Sequence, residues 1–266
     1  MRPKICIVGA GNVATHLAVA LTKTGDVIQV VSRHTDTAQQ LSKKIGNTCA
    51  YTASLSKLTP DADFYLIAVN DDKIADVVAE TAHCRTGIWA HTSGSIGIDV
   101  FDGKKEQYGV FYPLQTFSRD IDVNVAKVPF FIEGNSAHVA DTLYQWADNI
   151  SNVVEFADSQ RRKQLHVAAV FACNFANLMW LEADELLRQS RLTINYLMPL
   201  LEVTLAKLQS LSPAQAMTGP ARRGDSDVIN NHLTMLSGEK HEIYNLLSNV
   251  ILQRYHNIQQ HSKHNE

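Results

Sequence analysis

The chain has 266 residues and a formal net charge of −3, which excludes a nucleic-acid grip built on a broad basic surface. Its 45% hydrophobic and 19% charged residues describe an ordinary globular protein, long enough for two modest domains or one large one. The four cysteines, Cys6, Cys49, Cys84 and Cys173, have no C-x-x-C spacing and read as buried thiols of a reducing compartment.

Met1-Arg2-Pro3-Lys4 leads into a short strand rather than a signal peptide, and no apolar run is expected to reach the length of a membrane span. A cytoplasmic protein is expected. Ile5-Cys6-Ile7-Val8 then runs into Gly9-Ala10-Gly11-Asn12-Val13-Ala14 and an apolar helical pattern. A buried strand, a glycine turn and a helix N-terminus form the arrangement in which backbone N–H groups hold a pyrophosphate. Gly9 permits the tight turn and Gly11 lets the backbone approach phosphate, while Ala14 is the small residue that lets helix and strand pack. The helix covers Asn12 to Thr24 and stops at Gly25.

The second strand, Val27-Ile28-Gln29-Val30-Val31, ends at Ser32-Arg33-His34. An NAD-preferring site places Asp or Glu there, on the ribose 2′-hydroxyl. A hydroxyl and a guanidinium suit a 2′-phosphate instead, since Arg forms paired charge-assisted bonds to it. The expected cofactor is NADP, with Gly9, Gly11, Asn12, Val13, Ser32 and Arg33 among the residues that bind it.

A second helix follows from Thr35 to Lys44. Ala62 to Val69 is a near-continuous apolar run, as in a strand covered on both faces, and Asp71 or Asp72 is placed to cap the helix after it. Gly87 to His91 is another strand. Alternating strands and helices imply a parallel, doubly wound α/β sheet, whose ligand lies at the carboxyl ends of the strands. Those ends add Ala68, Val69 and Asn70 to the cofactor site, and His91-Thr92-Ser93-Gly94 to the neighbourhood of the nicotinamide or the substrate. Strand patterns continue at Gly109–Tyr112, Val128–Ile132 and Val153–Phe156, with a helix from Ser136 to Asn149.

From Asp158 onward only helical periods remain: Ser159–Arg188, Thr193–Gln209, Pro213–Thr218, Asp227–Ser237 and Glu239–His256. The division expected is 1–157 for the sheet domain and 158–266 for an all-α domain, with a tail from His261 that frays. Val167 to Cys173 and Leu178 to Leu181 are apolar almost all round the first helix, which implies burial on every side. A helical domain of this size has little volume to hide it, so a second copy of the chain is expected to cover part of it.

Five stretches carry a family likeness: Gly9 to Val13, His91 to Ser95, Tyr112-Pro113-Leu114-Gln115-Thr116-Phe117, His166 to Asn174, and Gly219-Pro220-Ala221-Arg222-Arg223-Gly224-Asp225. The chain resembles the Rossmann-like NADP oxidoreductase family whose C-terminal part is a domain of unknown function. More distantly it is similar to pyrroline-5-carboxylate reductase and the 6-phosphogluconate dehydrogenase group. The resemblance implies a Rossmann domain followed by an all-α dimerisation domain, with hydride transfer between NADPH and a small carbonyl or imine in an interdomain cleft. It departs from its relatives at Tyr112, where they commonly have His. It departs from the hydroxy-acid dehydrogenases at Val170, where they have a lysine.

A carbonyl acceptor needs a proton donor for the developing alkoxide. His166 and Asn174, eight residues apart on one apolar helix, fall near one face and are candidates for acid–base work and substrate orientation; each also fits a satisfied structural residue. His91 is a second acid candidate, and equally a residue hydrogen-bonded to its own backbone. Ser93, Gly94, Gln115 and Arg223 are the candidate substrate contacts, Arg223 for an anionic group, with Asp225 either fixing an arginine or capping the next helix. No metal site is expected, because His241-Glu242 lacks a second His at zinc-binding spacing. A non-catalytic NADP-binding sensor, or a reductase that also uses a deazaflavin, is compatible with the same residues.

Overall fold

A computed structural model of the chain describes residues 2–46 and 49–262; 263–266 of the tail expected to fray lie outside them. Two compact units are present, Met1–Phe175 and Ala176–Glu266.

The first unit is built on strands β1 (Lys4–Val8), β2 (Asp26–Val31), β3 (Ala50–Thr52), β4 (Phe64–Ile67), β5 (Ile88–His91), β6 (Gln107–Pro113), β7 (Phe130–Gly134) and β8 (Val154–Phe156). They form one sheet in the order β3-β2-β1-β4-β5-β6-β7-β8. Helices α1 (Asn12–Leu21), α2 (Thr35–Ile45), α3 (Asp71–Glu80) and α4 (Ala137–Asp148) join them. The chain winds outward from β1 in both directions, so the order reverses between β1 and β4, where a doubly wound sheet opens its ligand crevice.

Period-two alternation explains why the central strands are apolar throughout. Ile5 and Ile7 of β1, with Phe64 and Leu66 of β4, enter one core against Ala14, Leu17 and Leu143. Cys6 and Val8, with Tyr65 and Ile67, enter a second core against Ile74, Val78, Trp89 and Phe101. Each strand is sandwiched between helices and has no solvent face to mark with polar residues.

Three features of the sheet and its connections differ from the sequence reading. The sheet is not wholly parallel: β7 runs antiparallel to β6, and the segment between them holds only a 3-10 turn at Val125–Lys127, where a parallel return is usually made through an α-helix packed on the sheet. β3 carries no apolar signature, being short and mostly exposed. Asn70, not Asp71 or Asp72, occupies the N-cap of α3, and both acids lie in its first turn, where they complement the helix dipole.

One continuous helix runs from Ser159 to Gln189: α5 (Ser159–Ala169), a π-turn at Val170–Phe175 and α6 (Ala176–Gln189). Gln164–Leu181 carries no Asp, Glu, Lys or Arg. Contrary to expectation, the helix is long and apolar enough, by length and composition, to cross a membrane. The expectation of burial on every side also fails within one chain. Val167 is 56% exposed, Phe171 67% and Leu181 51%, and Cys173 is exposed, unlike Cys6, Cys49 and Cys84. The second unit, which begins with α6, continues with α7 (Met198–Lys207), α8 (Pro213–Ala216), α9 (Pro220–Arg223), α10 (Ser226–Thr234) and α11 (Gly238–Ser262).

Candidate functional site

A cavity of about 650 Å³ opens at the carboxyl ends of β1, β2 and β4. This lies within the range of small-molecule and cofactor sites. Gly9, Ala10 and Gly11 form its floor, Ser32, Arg33 and Thr37 one wall, and Ala68, Val69 and Asn70 the other. Gly9 has φ +125°, and a Cβ there would lie 2.2 Å from the Ala68 carbonyl oxygen, so only glycine fits. A Cβ on Gly11 would meet nothing within 4 Å: its missing side chain keeps open the approach to the N-terminus of α1. Ala14 is fully buried, the small contact at which helix and sheet meet.

The Ser32 and Thr37 hydroxyls lie 3.1 Å apart beside Arg33 on the wall that would face a ribose 2′-substituent. Asn12 and Val13 stand outside the lining. Asn12 Nδ2 donates to the Phe117 carbonyl at 3.0 Å, and Val13 packs against the core. The residues present fit a phosphorylated dinucleotide: an open glycine turn at a helix N-terminus, paired hydroxyls, and a guanidinium where a carboxylate would select NAD.

A second cluster forms around the end of β6. The Tyr112 hydroxyl lies 3.1 Å from Nδ1 of His166, and a Cβ on Gly94 would be 2.7 Å from that nitrogen and 2.8 Å from Tyr112 Cζ. Gly94 is therefore glycine to make room for the pair. Burial pushes the Tyr112 phenol up to about 12, with Arg162 pulling it down and Asp71 pushing it up. The group is a protonated donor at neutral pH.

Arg162, one helical turn before His166, is fully buried. Its guanidinium donates to Glu133 and to the Ile96 carbonyl, to the Ser93 carbonyl at 3.2 Å and to Ser159 Oγ at 3.2 Å. Ser159 in turn donates to Glu133 at 2.8 Å. One ion pair thus clamps the loop after β5 to β7 and α5. Inside that loop Ser93 Oγ accepts the Ser95 and Ile96 N–H groups, both at 3.0 Å, so both of its lone pairs are taken by the loop's own turn.

His91 is fully buried. Its Nδ1 accepts the Ser93 N–H at 3.2 Å, which leaves the proton on Nε2, 3.4 Å from the Gly97 carbonyl. Burial, helped by the charge of Arg162, lowers its pKa to about 3. This is a neutral structural imidazole with both nitrogens engaged, and the geometry does not support the acid role considered for it.

Asn174 sits exposed in the π-turn. A π-turn takes up an extra residue, so the uniform helical spacing assumed between His166 and Asn174 does not hold. Gln115 is exposed, with Oε1 accepting its neighbour's N–H at 2.8 Å. Arg223, in the second unit, is paired to Asp225 at 2.7 Å; Asp225 holds the arginine and makes no side-chain cap. Arg222 stacks 4.2 Å from the Tyr255 ring centroid.

Sequence reasoning missed Arg119, which lines the dinucleotide cavity from far along the chain, and the Arg162–Glu133 pair. An Arg one turn before a candidate His in an apolar helix was the available signal for the pair; Arg119 had none.

The Rossmann-like domain model matches residues 1–114, and the model described as a domain of unknown function, DUF2520, matches 128–251. A Bacteroides fragilis structure, of a protein provisionally named an NADP oxidoreductase, is 40% identical over 95% of this chain and 98% of its own, with a TM-score of 0.89. The fold is shared with a pyrroline-5-carboxylate reductase from Coxiella burnetii (16% identity, 96% and 98% coverage, TM-score 0.60). It is also shared with a reductive aminase from Aspergillus terreus in complex with NADPH and ethyl-5-oxohexanoate (14%, 96% and 87%, 0.61). The search of curated proteins returns no match. An eight-stranded dinucleotide-type sheet, a helical C-terminal region and 40% identity along nearly the whole chain place this protein in the Rossmann-like family whose C-terminal part is the DUF2520 domain.

Proposed function

We propose that the chain is an NADPH-dependent oxidoreductase that reduces a small carbonyl or imine compound. The observation that carries this reading is the cavity in which Gly9, Gly11, Ser32 and Arg33 converge at the switch between β1 and β4. The provisional name of the Bacteroides fragilis relative and the NADPH held by the reductive aminase support it.

When bound, the dinucleotide supplies the hydride. The glycine turn and the N-terminus of α1 hold its pyrophosphate, and Ser32 and Arg33 its 2′-phosphate. Tyr112 is the penultimate residue of β6, which runs parallel to β5, so it lies at the same carboxyl edge of the sheet as the glycine turn. A carbonyl carbon that accepts hydride leaves charge on oxygen, and the protonated Tyr112 Oη donates to it, with His166 hydrogen-bonded behind the phenol. An iminium carries its proton already and leans less on Tyr112.

The reading includes a second copy of this chain laid over the exposed apolar residues of the helix 159–189, supported by the exposure of Val167, Phe171 and Leu181. It also includes a reducing compartment such as the cytoplasm, for which the buried free thiols of Cys6, Cys49 and Cys84 are the support.

The test is calorimetric titration with NADPH and NADH, followed by turnover against imines and 2-oxo compounds. Tight NADPH binding, much poorer NADH binding and weakening by Arg33→Ala are expected. Absence of binding by either dinucleotide would sink the reading, and binding without any turnover would leave a dinucleotide sensor.

A further inference from the structure

Arg119 lies on the connection between β6 and β7, about 100 residues beyond the glycine turn, yet it donates to the Ala10 carbonyl inside that turn. The loop is fastened there. Asn12 Nδ2 holds the Phe117 carbonyl at 3.0 Å, His16 Nε2 meets the Ser118 carbonyl at 2.9 Å, and the His16 and Phe117 rings lie 5.1 Å apart. These three contacts to the first two turns of α1 hold the two residues just before Arg119, Phe117 and Ser118, against the helix, and so bring its guanidinium to the cavity.

That guanidinium lines the same cavity as Ser32, Arg33 and Thr37. It also lines a smaller recess with Thr37, Gln40 and Lys44 of α2, and so stands alongside α2, the helix that carries Thr37 into the ribose side of the site. A guanidinium carries five N–H donors, and Ala10 takes one of them. Among the described residues neither Arg33 nor Arg119 has a carboxylate within ion-pair distance. The Lys73 ammonium in the opposite wall is already paired, 3.3 Å from Asp76. Two guanidiniums without acidic partners, beside paired hydroxyls, make a site for a doubly charged phosphate monoester.

We propose that Arg119 is a specificity-determining residue which, together with Arg33, binds the 2′-phosphate of the dinucleotide; the assignment rests on the NADPH reading above. The loop that carries Arg119 then acts as a strap from the far side of the glycine turn, and the preference for the phosphorylated cofactor is shared between two distant parts of the chain.

Calorimetric titration of the full chain separates the possibilities with three probes. 2′,5′-ADP has the 2′-phosphate without the pyrophosphate bridge, NADH has the bridge without the 2′-phosphate, and NADPH has both. Arg119→Ala is expected to weaken 2′,5′-ADP and NADPH by about tenfold or more while leaving NADH within about twofold, and Arg119→Lys to recover part of the loss. An unchanged affinity for 2′,5′-ADP in both variants overturns the proposal. So does an equal loss for NADH and NADPH, which would mark a pyrophosphate contact or a collapsed loop. Wild-type protein that binds none of the three overturns the NADPH reading itself, a result distinct from wild-type preference that survives in Arg119→Ala.

Discussion

The phenolic oxygen of Tyr112 and Nδ1 of His166 stand 3.1 Å apart, and the residue that would wedge between them, Gly94, has no side chain to do so. A strand end, a helix and a glycine loop, separated in the chain, meet at one hydrogen bond. The imidazole considered as the acid is thus hydrogen-bonded to a phenol.

Tyr112→Phe keeps the ring that packs 6.5 Å from Phe131 and removes only the donor. Turnover of a carbonyl substrate is expected to fall by roughly 10²–10⁴-fold, with NADPH affinity within about twofold of wild type; an imine substrate should lose less. Steady-state kinetics with both substrate classes, beside a binding titration, check this. Because burial holds the phenol up to about 12, Tyr112 should add no alkaline limb to the pH–rate profile below about pH 11.

Gly94→Ala introduces a Cβ 2.7 Å from His166 Nδ1, closer than real contacts allow. The pair must separate, and the strain should cost about 1–3 kcal/mol of stability along with most of the turnover. NADPH affinity should persist, since Gly94 is not among the residues lining the dinucleotide cavity. Thermal unfolding and binding isotherms on the same sample distinguish this from global misfolding.

Arg162 is fully buried and Glu133 is 15% exposed at its side chain. Glu133→Gln leaves the guanidinium charge uncompensated, and the expected loss is about 3–5 kcal/mol in urea unfolding. A loss below about 1 kcal/mol would mean that the Ser93 and Ile96 carbonyls suffice to hold Arg162 and that the ion pair is dispensable.

His91 sets an acid limit. Its folded pKa is about 3 against an ordinary 6.5, so between those values the unfolded chain binds a proton that the folded chain refuses. Stability therefore falls as pH drops below about 6.5, by up to roughly 1.4 kcal/mol per pH unit from this group alone, and is unaffected by it above that pH. Urea unfolding of wild type and His91→Asn at pH 7, 6 and 5 should show a steeper loss in wild type; parallel slopes would contradict the assignment.

The exposed apolar helix calls for a cover. Sedimentation equilibrium of the wild type is expected to give a dimer. Phe171→Asp, which puts a charge on a side chain already 67% exposed and so costs a single chain little, should give a monomer. A wild-type monomer at micromolar concentration would remove the second copy from the proposal.

The first strand, glycine turn and helix were legible because each is a local pattern: the apolar run, Gly9 and Gly11, and Ser32-Arg33 some 20 residues on need no tertiary knowledge. The same held for β4, whose residues are apolar because both faces are covered. β3 was illegible because an exposed edge strand of three residues has no burial to write into its composition. The reversal of β7 depended on what the β6–β7 segment lacks. Arg119 could not be read, and the position of Arg162 one turn before His166 hinted at a buried charge without naming Glu133, since these partners are set by contacts across 29 to 109 positions. The burial assigned to the helix 159–189 failed for a related reason: hydrophobicity says that a surface is to be covered, not which molecule covers it.

The chain's three tryptophans are placed so unequally that they act as separate optical reporters. Trp89 is fully buried, stacked 4.2 Å from Tyr65 with the Lys105 ammonium 3.5 Å from its ring centre, a dry position beside a fixed charge and closed to a collisional quencher. Trp146 packs 4.4 Å from Phe64 and reports on the opposite face of the sheet. Trp180, on the apolar helix, is 39% exposed and is the most open of the three to acrylamide, ahead of the half-buried Trp146. The quenchable share of the emission is thus a gauge of whether that helix is bare or covered, readable by dilution without a label.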